Sequence, residues 1–349
     1  MANYTTIDNP ELYFQCKNYV GSSSAQSITL DGSENMQPDF IWFKNREASG
    51  RHQLYDSVRG ATKLINSDSS DGEQTVDYFT SFDSDGFTIG SSSSALNTNG
   101  EDIASFNWKA GTTSGITQGG ASITPTAYSF NQTAGFSIIK YTGGGAAATV
   151  PHGLGVAPSM IIVKNLTSGV NWFVYHKSLG ATKYIILNNT DAQGTATNAF
   201  NDTAPTSSVF SIGTNNSVAQ SGNDFIAYCF AEKTGYSKFG TYTGNGNANG
   251  AFVYTGFKPA WVLIKVTSTA NDWILLDNKR DSFNVATKKL LPNESNAESS
   301  DSGVSTDFLS NGFKIRTTGG NINQNSATFI YMAFGQTMVG SNNIPATAR

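Results

Sequence analysis

Three short phrases constrain this chain more than any other feature. Residues 38–44 read PDFIWFK, residues 158–164 read PSMIIVK and residues 259–265 read PAWVLIK, each with a lysine six residues after the proline. Proline cannot donate to a central ladder and marks the entry to a strand. The run behind it is apolar without strict alternation, which fits a strand covered on both faces. The closing lysine is expected to lay its stem over apolar surface and keep its ammonium in water. One such phrase is an ordinary buried strand. Three at one spacing predict a chain that repeats itself.

Other landmarks keep the same order. Tyr19, Tyr141 and Tyr242, in YVG, YTG and YTG, stand 25, 23 and 23 residues before the lysines. Twelve residues after the lysines come Asp56, His176 and Asp277, closing the runs HQLYD, NWFVYH and NDWILLD. SVRGATK and KSLGATK follow the first two, whereas the third departs as NKRDSFN. Each copy then has a turn and a strand, SDGFTIG at 84–90, SSVFSIG at 207–213 and SNGFKIR at 310–316. Asp-Gly and Asn-Gly steps favour tight turns because they tolerate positive φ. DIASFNW, DFIAYCF and TFIYMAF read as closing strands, the first expected to hold one extra residue as a bulge. Trp108, Phe230 and Phe334 at their ends are expected to be buried, as large aromatics dominate core energetics.

Short apolar runs divided by Gly, Ser and Asn clusters, with no sustained 3.6-residue period, predict an all-β fold. An aromatic fraction of 12% argues for a packed chain rather than a disordered one. The expected architecture is three tandem β-sandwich repeats, jelly-roll or lectin-like, of about 100 residues each. They span 10–109, 134–233 and 234–336. Segment 110–133 reads as a Gly/Ser/Thr-rich linker and 337–349 as a C-terminal tail. Copies two and three are joined by AEKTGYSKFGT, short enough to fix their packing. ELYFQ at 11–15 resembles a protease tag but lacks its asparagine, so Tyr13, Phe14 and Cys16 are read as a native first strand.

Chemistry is bounded by what these patterns exclude. With 14% charged residues and a formal net charge of −4, the chain lacks the basic surface a nucleic-acid binder needs. It has no run of 18 apolar residues and no basic-then-apolar leader, so neither membrane insertion nor a secretory signal is expected. Cys16 and Cys229 make no disulfide framework or metal cluster. Asp56, His176 and Asp277 read as polar strand ends, and Lys44, Lys164 and Lys265 as solvated ones. Trp172 and Trp273 read as core or interface anchors rather than a sugar-stacking platform. SDSSDGE at 67–73 and DSDG at 83–86 read as turns, since neither has the spacing of a calcium loop. His52, His152 and His176 are too dispersed for zinc. GNGNANG at 244–250 is a hairpin loop, not a nucleotide fingerprint. No catalytic, cofactor-binding or metal residue is assigned, no cofactor is expected, and ligand-binding residues stay open.

The phrases TAGFSIIKYTG, ATVPHGLGVAPSMIIVKN, WFVYHKSLGATKY, FIAYCFAEKTGYSKFGTYTGNG and DFLSNGFKIR together resemble something known. They are similar to repeated β domains of bacteriophage virion proteins, frequent in phages of marine bacteria among tail and tail-fibre genes. The resemblance runs from about Leu12 to Phe334. It implies a virion structural protein without enzymatic activity, assembled in the host cytoplasm. A tail-associated short fibre or spike component with a host-surface binding role is expected, since no heptad shaft is present. Expected partners are other virion proteins, two further copies in a homotrimer, and a host-surface glycan or protein receptor. The alternatives are a head decoration protein or a carbohydrate-binding adhesin and, with least weight, a polysaccharide depolymerase.

Overall fold

The apolar phrases are central strands. In the computed structural model, which describes residues 7–91 and 94–335, they form Phe40–Asn45, Met160–Asn165 and Pro259–Val266. The expected tail at 337–349 lies outside the described residues. The architecture is all-β and antiparallel, and no helix among the described residues exceeds four residues.

One strand order occurs three times. The first sheet runs Phe14–Val20, Asp102–Trp108, Phe40–Asn45, Gln53–Asp56. The second contains Phe136–Thr142, Asp224–Phe230, Met160–Asn165, Phe173–His176 in the same order, and the third Ser237–Thr243, Thr328–Gly335, Pro259–Val266, Ile274–Asp277. The registers agree. Lys44, Lys164 and Lys265 face Ala104, Ile226 and Ile330, while Trp108, Phe230 and Phe334 face Phe40, Met160 and Trp261.

Three expectations are corrected. Asp102–Trp108 pairs with both neighbours without a register shift, so it carries no bulge. The shift lies between Pro259 and Trp261, beside a proline with no N–H to give. Segment 110–133 is more than a linker: Ala127–Asn131 is an edge strand of the second sheet, and Thr112 bridges Phe130. Tyr13 caps a 3-10 turn at Pro10–Leu12, so the first strand begins at Phe14.

Why the apolar runs do not alternate is visible in the packing. Phe40 and Trp42 point inward and share one cluster with Met160, Tyr228, Trp261 and Phe334, drawn from all three sheets. The Phe40 and Tyr228 rings stack at 4.4 Å, and Trp108 meets Phe334 edge-on at 5.6 Å. Ile41 and Phe43 point outward against Ile28 and Phe87 of a small outer sheet. Ile161 and Val163 do the same against Val150 and Phe210, and Val262 and Ile264 against Val253 and Phe313. Each main sheet is thus sandwiched between a core it shares and a core of its own.

The tyrosine and glycine of Tyr-x-Gly recur for a physical reason. The hydroxyls of Tyr19, Tyr141 and Tyr242 donate to the carbonyls of Leu96, Val218 and Ile322 at 2.9, 2.7 and 2.7 Å. Each acceptor lies in a one-turn helix, Ser94–Asn97, Asn216–Ala219 or Gly320–Asn323. A Cβ on Gly21, Gly143 or Gly244 would fall 2.0, 2.5 or 2.3 Å from the carbonyl oxygen of Thr98, Gln220 or Gln324, too close for any side chain.

Candidate functional site

The recurrent polar residues gather where the three sheets meet. The lysines are fully buried, which overturns the expectation of a wet ammonium. Lys164 Nζ donates to Val170 O in its own hairpin and to Ser70 O on the first sheet's side, both at 2.8 Å. Lys265 donates to Asn271 O and, at 2.8 Å, to Thr190 O. Lys44 donates to Gly50 O at 2.8 Å and to Ser295 O at 3.2 Å. Each lysine therefore ties its sheet to the preceding one, and the third tie returns from the first sheet to the third. Burial pulls all three ammonium groups down to about 8.

The residue four before His176 or Asp277 makes a second inter-sheet contact. Trp172 Nε1 donates to Asn66 O at 3.0 Å, and Trp273 Nε1 to Ile186 O at 2.8 Å. The two tryptophans are interface anchors, as the sequence suggested. In the first sheet the place is held by His52, fully buried, whose Nδ1 accepts from Trp42 Nε1 at 2.9 Å. Burial holds its imidazole well below the usual histidine value. The histidines were read as dispersed, yet the spacing of four to Asp56 was the signal that ties His52 to the tryptophans.

Asp56, His176 and Asp277 end the same strand in each sheet and are buried. Asp56 binds the Arg59 Nε at 2.5 Å and accepts from Tyr228 OH of the second sheet at 2.7 Å. Asp277 binds Arg280 in the same i,i+3 geometry, and Arg280 Nη1 reaches Glu298 at 2.9 Å. The third sheet thus has an arginine at the position that NKRDSFN left unmatched. In the second sheet both members change together, to His176 and Leu179. His176 Nε2 donates to Tyr331 O of the third sheet at 3.2 Å, and its Nδ1 accepts from Ser178 N. It is a neutral imidazole, pushed down to about 4 chiefly by burial. A buried arginine without its carboxylate is costly, so the two positions change as a pair.

The joint between the third and first sheets has no direct chain connection, and it is where the ion pairs concentrate. Arg46 grips Glu298 bidentately, both contacts at 2.9 Å, while Lys279 reaches Asp31 at 2.7 Å. Glu298 N also donates to Arg46 O. The equivalent backbone bonds at the other joints, Glu73 N to Leu166 O and Gln193 N to Thr267 O, pair no charges.

This arrangement holds sheets together. The carboxylates face guanidinium groups, the ammonium groups face carbonyls, and none of the recurrent groups reaches open solvent. Among the described residues no group of three or more His, Cys, Asp or Glu could hold a metal ion. The Asp83 carboxylate accepts from Ser81 and Thr88, and Gly86 has φ +109, so DSDG is a turn. Asp71 pairs with Arg51 at 2.7 Å.

Comparison with known proteins adds one family. No curated protein matches the chain. A solved chain described as "Life in the extremes: atomic structure of Sulfolobus Turreted Icosahedral Virus" is 10% identical, covering 92% of this chain and 90% of that one. Its TM-score of 0.14 carries no argument about fold or function. A family model described as "Domain of unknown function (DUF7483)" matches residues 9–337, and the chain belongs to that family.

Proposed function

We propose that the protein is a structural component of a bacteriophage particle, a tail-associated short fibre or spike element with a host-surface binding role and no catalytic activity. In this reading 10–109, 134–233 and 234–336 are three tandem β-sandwich units closed around one core. The observation that carries it is the use of the recurrent polar residues. Lys44, Lys164, Lys265, Trp172, Trp273, Asp56 and His176 each tie one sheet to another, as a particle component needs and an active site does not. The phrase-level resemblance to phage virion domains supports the same reading.

A homotrimer through uncharged surface belongs to this proposal. Phe252 and Tyr254, 46% and 58% exposed, lie on the outer strand Phe252–Tyr254 and supply apolar area for a second copy. Gold-labelled antibody against the purified chain should decorate phage particles, at the tail rather than the head. Sedimentation of the chain should give three times its 37.2 kDa mass. Label absent from particles would overturn the virion role, and a stable monomer would overturn the trimer alone.

A further inference from the structure

The three joints are not equally filled. Ser57, Lys177 and Asn278 follow Asp56, His176 and Asp277, and their backbone N–H groups donate to Asp39, Ser159 and Ala260. Beside Lys177 the joint is bridged by Glu232, which pairs with Lys177 and Lys238 at 2.5 Å each. Beside Asn278 a cavity of about 230 Å³ remains. Beside Ser57 the joint opens into a groove of about 650 Å³, well inside the roughly 300–1,000 Å³ of small-molecule sites. Its far wall comes from Gly111, Thr113 and Thr126–Tyr128. That wall belongs to the segment 110–133, much longer than the join at 231–236 between the second and third sheets.

The lining has a definite chemistry. Asp39 is fixed, with Oδ1 accepting from Ser57 Oγ at 2.7 Å and Oδ2 from Ala110 N at 2.8 Å, and each oxygen keeps a further lone pair. Gln37, Lys109 and Thr113 line the groove, and their side chains make no hydrogen bond or ion pair with another described residue. Tyr128 adds a half-buried ring whose hydroxyl accepts from Ile116 N. One carboxylate and one ammonium leave the lining without net charge. An anionic ligand would lack a cluster of cations, and a lipid-like one would lack an aliphatic floor. A hydroxyl-rich ligand would find directed amide, hydroxyl and carboxylate groups, with an aromatic face for its C–H surface.

We infer that the groove between Ser57 and Tyr128 binds a neutral oligosaccharide of the host surface, an inference that rests on the host-binding reading above. The test begins with the full chain on an array of neutral, anionic and cationic oligosaccharides. The best-bound neutral one is then titrated against Gln37→Ala/Thr113→Ala and against Tyr128→Ala. Neutral glycans should be selected, with Kd raised roughly tenfold or more in both variants. The exposed Gln37/Thr113 pair should melt like the wild type, so that lost binding is not lost folding. Phe283→Ser, at an exposed position outside the groove lining, should keep the wild-type Kd. An unchanged Kd in the Gln37/Thr113 variant, or a loss confined to the Phe283 variant, overturns the groove and leaves the virion role standing. Selection of charged glycans overturns the neutral ligand. Absence of any glycan binding overturns the site, while particle labelling decides the virion role separately.

Discussion

Tyr228 donates its hydroxyl to the Asp56 carboxylate across 2.7 Å, joining residues on different sheets and 172 positions apart. Removing only the hydroxyl, in Tyr228→Phe, leaves the Asp56–Arg59 pair intact and should cost about 1–3 kcal/mol, as for a hydrogen bond to a charged group. Asp56→Asn leaves the buried Arg59 guanidinium with Glu73 at 3.4 Å as its remaining carboxylate. That change should cost about 3–5 kcal/mol. Urea unfolding of the two variants gives the ranking, and a Tyr228→Phe protein as stable as wild type would refute the inter-sheet bond.

The joint replacement of Asp–Arg by His–Leu in the second sheet can be reproduced in the third. Arg280→Leu strands the buried Asp277 carboxylate, Asp277→His leaves Arg280 with Glu298 as its one carboxylate partner, and each alone should be destabilising. The double variant should be less destabilised than the sum of the singles, with a coupling of at least about 1 kcal/mol. Additive single effects in chemical denaturation would show that the two positions act independently.

Lys164→Met separates a buried tie from a solvated strand end. An exposed lysine can be replaced within roughly 0.5 kcal/mol. Here the change leaves the Ser70 and Val170 carbonyls without the ammonium, and a loss of about 1–3 kcal/mol is expected. Native-state hydrogen exchange should rise in the segment around Ser70, on the neighbouring sheet, as well as around Val170.

Acid should loosen the structure through its histidines. His176 and His152 have folded values of about 4, against roughly 6.5 in an unfolded chain. Between those limits the unfolded state binds more protons, so stability is intact above about pH 6.5 and declines as pH falls toward 4. Midpoints of urea unfolding should drop across that window. His176→Gln should make the decline shallower if the variant keeps its bond to Tyr331 O; an unaltered slope would exclude His176 as a source.

The parts legible in the sequence were those where one strand decides the residue. Pro38, Pro158 and Pro259 mark strand entries, Tyr19 and its counterparts hold matched places, and Trp108, Phe230 and Phe334 are buried because each closes a strand facing the core. What stayed hidden depends on a second sheet. A lysine after four apolar residues reads as a strand end, and nothing local says that Ser70, Thr190 and Ser295 supply carbonyls to receive it. His52 looked unrelated to Trp172 because the shared feature is position and not chemistry. The groove beside Ser57 was illegible for the same reason, since its two walls come from 37–58 and 109–128.

The Arg46–Glu298 grip closes the one joint that the polypeptide does not cross. A ring assembled from a linear chain has a seam, and here the seam is fastened by charge where the other two joints are fastened by covalent continuity. High salt therefore acts on closure before it acts on the sheets themselves, although the partial burial of both side chains blunts screening. An opened seam would present Ser295 and Glu298 to Lys44 and Arg46 of another molecule, with the same donors and acceptors already in place. Exchange of a whole sheet between copies is then the failure mode that the fastening of Arg46 to Glu298 guards against.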